Sequence, residues 1–108
     1  MNLNDVVNKF LSCASIVVYE KNDIIVLGLI NVKPKFRNMG IAKKFMIDLK
    51  FYADSTGKTI TLNPSSEFGA DLTRLVKFYK SFGFIYNKGK NKNYAFIDDM
   101  YRLPGRRM

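Results

Sequence analysis

A glycine at the start of a predicted helix is the feature of this sequence with the clearest chemistry. The segment Arg37-Asn38-Met39-Gly40-Ile41-Ala42 follows a β-rich run and opens a run of helical periodicity. Backbone N–H groups at a helix start have no partners within the helix, and the helix dipole adds positive charge there. Gly40 and Ala42 carry little or no side chain, so a phosphate can approach this backbone closely. The turn therefore predicts a pyrophosphate site, although a glycine-capped helix start with solvated lysines has the same pattern.

Composition excludes several kinds of catalytic site. The chain has no histidine and one cysteine, Cys13, so we predict neither a metal site nor a Cys-His catalytic pair. Cys13 precedes an apolar stretch, which favours a small buried side chain over a reactive thiol. The 18 Lys and Arg against 9 Asp and Glu give a net charge of +9. That charge favours the phosphates of a cofactor, a nucleic acid or another acidic partner.

Polar side chains at loop positions are further candidates for a site. Asn63 follows a predicted strand, and ligands of parallel α/β arrangements bind at the carboxyl ends of strands. Asn63 is therefore either a ligand-binding side chain or the cap of its own loop. The candidate general bases are carboxylates, each of which is alternatively a solvated charge or a helix cap. They are Glu67, Asp71, Asp98 and Asp99.

Apolar periodicity predicts a single α/β domain over residues 1–103 and a flexible basic tail over 104–108. The predicted elements are a helix over Leu3–Ser12 with Asn4 as cap, strands Ser15–Glu20 and Ile24–Val32, a helix over Gly40–Asp54, a strand Thr59–Leu62, a helix over Asp71–Ser81, and strands Phe84–Asn87 and Tyr94–Leu103. The beginning of the chain lacks the charge and apolar pattern of a secretory signal, and no apolar run is long enough to span a membrane. We therefore expect a cytoplasmic protein without membrane contact.

Two motifs in this order resemble the GNAT superfamily of N-acetyltransferases. Arg37, Gly40 and Ala42 fill the family's acetyl-CoA signature, Arg/Gln-x-x-Gly-x-Gly/Ala. The segment Phe78-Tyr79-Lys80-Ser81-Phe82-Gly83-Phe84 is similar to the family's Phe/Leu-Tyr-x-x-x-Gly-Phe motif. The resemblance covers residues 23–103, and the segments 63–69 and 100–104 look like short phage and prophage members.

The resemblance implies a shortened GNAT fold. That fold has a central mixed, mostly antiparallel sheet with a splayed parallel pair of strands and flanking helices. The chain departs from the family pattern because it lacks room for the first strand and the usual pair of amino-terminal helices. Those elements commonly wall the acceptor side of the cleft, so the acceptor site is not predicted.

The same resemblance implies acetyl-CoA as cofactor and assigns roles to residues. Tyr79 matches the general acid of many members, or else is only a core aromatic. A backbone N–H within Ile30 to Val32 would meet the oxyanion, where the family's pantetheine arm adds to the sheet. The predicted coenzyme-binding residues are Ile30, Asn31, Val32, Arg37, Asn38, Met39, Gly40, Ile41, Ala42, Lys43 and Asn63.

Two functions remain as hypotheses. The first is transfer of an acetyl group to a primary amine, on a protein lysine or an aminoacyl-tRNA. The alternative is a catalytically degenerate binding module that contacts nucleic acid or an acidic protein, since the predicted strand before the turn carries no carboxylate. A second basic cluster is either solvated or binds an acidic protein or RNA. It comprises Lys88, Lys90, Lys92, Arg102, Arg106 and Arg107. Both a monomer and a homodimer are compatible with the sequence.

Overall fold

The computed structural model describes residues 2–65 and 71–105. Within these residues, three helices and five strands follow one another in the predicted order. They are α1 (Leu3–Asn8), β1 (Ala14–Lys21), β2 (Ile24–Val32), α2 (Ile41–Thr56), β3 (Thr59–Leu62), α3 (Leu72–Lys80), β4 (Ile85–Tyr86) and β5 (Met100–Arg102). Short 3-10 turns occupy Pro34–Phe36 and Gly89–Asn91. No helix in the described part of the chain is long and apolar enough to cross a membrane.

The strands form one mixed sheet in the order β1-β2-β3-β5-β4. Only β2 and β3 are parallel, and the other neighbours are antiparallel. A two-residue turn joins β1 to β2, with Asn22 and Asp23 both in the left-handed region at φ 52° and 64°. Asn and Asp tolerate that conformation, and its twist matches the strands of a hairpin. The mixed, mostly antiparallel sheet of the prediction is confirmed.

Strand β2 separates from β3 halfway along its length. The parallel pairing runs from Ile24 opposite Thr59 to Leu27 opposite Leu62, and β2 then continues to Val32 beside β1 alone. The register between β1 and β2 shifts at the same point, which leaves Gly28 in a β-bulge. Beyond Leu27, β2 therefore has a free edge on the side that β3 has left. This is the predicted splayed pair.

One hydrophobic core lies between the helices and one face of the sheet. Alternate strand residues point to that face, and one stripe of α2 packs onto them. Each fully buried side chain of this size contributes about 1.5–3 kcal/mol relative to exposure. The core includes Ile25, Leu27, Phe45, Met46, Leu49, Ile60, Leu62, Tyr79, Phe84 and Met100.

The amino-terminal segment differs from its prediction in two ways. Helix α1 ends at Asn8, and its cap is Asn2 rather than Asn4, so the predicted cap is wrong. The Asn2 side chain accepts from the Asp5 N–H at 2.9 Å, while the Asp5 carboxylate accepts from the Asn2 N–H at 3.0 Å. This reciprocal pair satisfies two of the helix's free donors. The prediction of a buried Cys13 is also wrong, since the side chain is partly exposed.

The strand predicted over residues 94–103 is wrong except for Met100–Arg102. The side chain of Asn87 instead holds the loop that lies between β4 and β5. Its amide donates to the carbonyls of Phe96 at 3.0 Å and Asp98 at 3.2 Å, and its oxygen accepts from the Asn93 N–H at 2.7 Å. Asn87 is buried, so these bonds satisfy its polar atoms while they fix the loop backbone.

Strand β5 is fixed to α2 by a buried ion pair. The Arg102 guanidinium, 6% exposed, donates to both carboxylate oxygens of Asp54 at 2.8 and 3.0 Å, and its Nε donates to the Phe82 carbonyl. These hydrogen bonds hold the pKa of Asp54 below its usual range. The N–H of Gly105 also donates to Asp54, at 2.7 Å. The assignment of Arg102 to an exposed basic cluster is therefore wrong, and Arg106 and Arg107 lie outside the described residues.

Candidate functional site

The start of α2 has the features of an anion site. Its first residue is preceded by Gly40 at φ 73°, which provides no side-chain cap, whereas Asn2 caps α1 and Asp71 caps α3. The first helical bond runs from Lys44 N–H to the Gly40 carbonyl at 2.9 Å. The N–H groups of the three residues between them therefore have no acceptor within the helix. A Cβ on Gly40 would meet no atom within 4 Å, so the space beside this backbone is open.

The chain enters this turn from β2 through a 3-10 turn. Arg37 then ties the turn back to the strand, because its Nε donates to the Val32 carbonyl at 3.0 Å. Asn38 follows in the left-handed region at φ 64°. Two left-handed residues within three positions curl the backbone around the helix start, a geometry that gathers N–H groups into an anion-binding concavity. Arg37 thus organises the turn as well as contributing positive charge.

A cavity of about 310 Å³ lies beside the turn. Most of the predicted coenzyme residues line it, and two aromatic residues that sequence reasoning did not assign to the site complete its wall. The lining residues are Val32, Phe36, Arg37, Asn38, Gly40, Ile41, Ala42, Lys43 and Phe78. Lysines at 33 and 35 lie in the adjoining loop. The cavity combines free backbone donors, positive charge and aromatic walls.

Four predicted residues do not line this cavity, namely Ile30, Asn31, Met39 and Asn63. Met39 is largely exposed. Phe78, which the prediction omitted, belongs to the same Phe-Tyr pair as Tyr79 and faces the cavity one helical position earlier. No local sequence signal indicated it, because the place of Phe78 in the wall depends on where α3 lies relative to the start of α2.

The free edge of β2 supplies further backbone donors. Lys33 N–H donates to the Cys13 carbonyl on the β1 side at 2.8 Å. Backbone groups alternate sides along a strand, so the N–H groups of Ile30 and Val32 point to the edge that β3 has left. The N–H of Asn31 points to β1. An extended ligand chain along this edge would meet the Ile30 and Val32 donors as another strand would.

Tyr79 lies in the core rather than on the cavity wall. Its ring is 7% exposed and packs against Phe78 and Phe84, with centroid distances of 5.6 and 5.8 Å. Burial raises the pKa of its phenol above the usual value. Tyr79 is therefore a protonated phenol at neutral pH.

Most of the other candidate polar residues make structural contacts. The Asn63 amide donates to the Asp98 carboxylate at 2.7 Å and its oxygen accepts from the Asp99 N–H at 2.7 Å. Asp71 caps α3 by accepting from the Thr73 N–H at 2.9 Å. Glu67 lies outside the described residues. Asp99 borders a second cavity, of about 290 Å³, between α3 and β4.

Comparisons with known proteins agree with the two motifs and with the sheet. Residues 3–84 match the model of the acetyltransferase (GNAT) family. The fold is similar to that of the anti-CRISPR protein AcrVA5, with a TM-score of 0.63 and 20% identity over 83% of this chain and 90% of that one. It is also similar to Ard1 from Thermoplasma volcanium, with a TM-score of 0.59 and 18% identity over 87% of this chain and 64% of that one. No curated protein sequence matches the chain.

Proposed function

The chain belongs to the GNAT acetyltransferase family, and from that premise we propose that it transfers an acetyl group from acetyl-CoA to a primary amine. The observation that carries the proposal is the uncapped start of α2. There, Gly40 leaves the backbone open beside a cavity of about 310 Å³. The cavity continues to the free edge of β2 through Val32. A pyrophosphate at the helix start and an extended arm along the strand edge fit this arrangement.

Backbone N–H groups and charged side chains would both contribute to coenzyme binding. The N–H groups of Ile41, Ala42 and Lys43 would hold the pyrophosphate, and Arg37 would add charge while it fixes the turn to β2. The N–H groups of Ile30 and Val32 would hold the pantetheine arm and the carbonyl oxygen of the acetyl thioester. Asn38 lines the same cavity and completes the proposed set, whereas Asn31, Met39 and Asn63, which the sequence also predicted, do not line it.

When bound, acetyl-CoA supplies the acetyl group as a thioester. Tyr79 is buried, and the raised pKa of its phenol keeps it protonated at neutral pH. We assign it the role of general acid toward the leaving thiolate. No carboxylate occurs on β2, so the incoming amine would lose its proton to solvent or to Asp99.

The acceptor is proposed as a lysine of an acidic protein or the amine of an aminoacyl-tRNA. The net charge of +9 supports both, because each acceptor carries negative charge around its amine. A cytoplasmic, phage-type protein acting as a monomer or homodimer is consistent with this reading and stays a prediction.

A catalytically degenerate binding module is the second candidate. Two of the candidate bases support it, because Asp71 and Asp98 are engaged in hydrogen bonds within the fold. Such a module would bind the coenzyme, or only retain the fold, without turnover.

Release of free thiol from acetyl-CoA separates the two candidates. The assay uses lysate protein and, separately, aminoacyl-tRNA as acceptors. Tyr79→Phe should lower kcat by about 10²–10⁴-fold, as expected for loss of a general acid. The melting temperature should change little, since the substitution keeps the ring that packs against Phe78 and Phe84.

Tyr19→Phe is the matched control, because Tyr19 is half exposed on β1. It should leave kcat and stability unchanged. Tight coenzyme binding without thiol release from either acceptor would exclude the transferase and leave the binding module. Full activity of Tyr79→Phe would remove Tyr79 from the mechanism.

A further inference from the structure

We propose that the loop between β4 and β5, with the end of α3, binds single-stranded nucleic acid. The basic loop surface is defined here by Lys80, Tyr86, Lys88, Lys92 and Tyr94. It lies at the β4 edge of the sheet and is separate from the α2 turn. The proposal does not depend on acetyl transfer.

Each tyrosine of this surface has one or two lysine ammonium groups beside its ring. The Lys80 and Lys88 ammonium groups lie 4.9 and 4.6 Å from the centroid of the same ring, that of Tyr86. The Lys92 ammonium lies 5.5 Å from the Tyr94 centroid. The ion pairs in the described part of the chain join other residues, and none includes these lysines. Two cations beside one ring, neither of them in an ion pair of the described residues, form a favourable site for a phosphate.

The backbone of the loop is hydrogen-bonded to the rest of the fold although its side chains are exposed. Tyr94 is 89% exposed and Ile97 is 96% exposed. The backbone beneath them is fixed by the three hydrogen bonds of Asn87 and by the Tyr101 hydroxyl, which donates to the Asn91 carbonyl at 2.5 Å. A partner that binds this surface therefore loses little loop entropy on binding.

The chemistry favours nucleic acid over an acidic protein. An exposed tyrosine face offers a stacking surface for any base, and the neighbouring ammonium groups offer contacts to the backbone phosphates. Protein interfaces are instead depleted in lysine. The loop's own carboxylate Asp98 accepts from Asn63 and so faces the end of β3. Asp99 borders the cavity beside Tyr86 with Lys88.

Fluorescence anisotropy of the full chain with a labelled oligouridylate RNA of about 12 nucleotides tests the proposal. Measurement without coenzyme makes the result independent of catalysis. Tyr94→Leu should weaken binding about 5–150-fold with an unchanged salt slope. Each of Lys88→Gln and Lys92→Gln should reduce the slope of log affinity against log salt by about 0.7.

Tyr19→Leu and Lys21→Gln are matched controls on β1, at the opposite edge of the sheet. They should leave affinity and salt slope unchanged. Absence of RNA binding by the native chain, or equal weakening by the controls, would overturn the proposal. If the native chain bound polyglutamate as tightly as the RNA, and Tyr94→Leu weakened the binding of neither ligand, the proposal would be overturned in favour of an acidic protein partner.

Discussion

Helix α2 has a left-handed glycine at each end, and this symmetry isolates the role of the coenzyme turn. Gly40 has φ 73° and Gly57 has φ 68°, and a Cβ on either residue would meet no atom within 4 Å. Alanine at either position therefore incurs only the left-handed backbone penalty, about 1–2 kcal/mol. In a domain of this size, the melting temperature should fall by about 4–16 °C in both variants.

The two variants should differ in coenzyme binding. Only Gly40 borders the cavity of about 310 Å³, so only its added methyl group would stand between the backbone and the phosphate. Loss of one charge-assisted hydrogen bond costs about 1.5–3 kcal/mol, which corresponds to a Kd raised about 10–150-fold. Gly57→Ala should bind with the native Kd.

Titration calorimetry with acetyl-CoA gives the two dissociation constants, and scanning calorimetry gives the two melting temperatures. Equal Kd values for Gly40→Ala and Gly57→Ala would refute the assignment of the turn as the phosphate site. A Gly40→Ala variant as stable as the native chain would refute the left-handed conformation from which the penalty was derived.

The buried and partly buried ion pairs give two further predictions. Asp54→Asn leaves the Arg102 guanidinium without its charged partner, so urea denaturation should show a loss of about 3 kcal/mol in unfolding free energy. Hydrogen bonds from Lys58 and Tyr52 hold the pKa of Glu20 below its usual value. Its contribution to stability is therefore present above the ordinary pKa of about 4.3 and is lost as the pH falls below it. As the pH falls below this value, the melting temperature of Glu20→Gln should vary less than that of the native chain. Parallel plots of melting temperature against pH for the two proteins would contradict a stabilising role for the Glu20 carboxylate.

The sequence predicted the parts of the fold that depend on local chemistry. The strand Thr59–Leu62 has the predicted bounds, and Asp71 caps α3 as its position suggested. The Gly40 turn lies at the start of a long helix, as the helical periodicity of the residues after it predicted. In each case, the residues that decide the structure lie within a few positions of one another.

Long-range contacts decided what the sequence did not predict. Tyr94 and its neighbours have strand-like composition, yet Asn87 holds their backbone in a loop through its side chain. The basic residues near Arg102 in the sequence predicted a surface charge. Arg102 is instead buried against Asp54, which lies 48 positions earlier in the chain. The cavity wall at Phe78 depends on where α3 lies relative to the start of α2. No local pattern encodes these partners.

The position of β5 in the sheet bears on how the chain acquires its structure during synthesis. This strand follows β4 in the chain but lies between β3 and β4, and it contacts both. Until residue 102 has been synthesised, β3 and β4 have no common neighbour, and the Asp54 carboxylate on α2 lacks its guanidinium. The domain should therefore complete its folding only after translation has passed β5. A nascent chain halted before Met100 should expose two unpaired strand edges to chaperones and proteases.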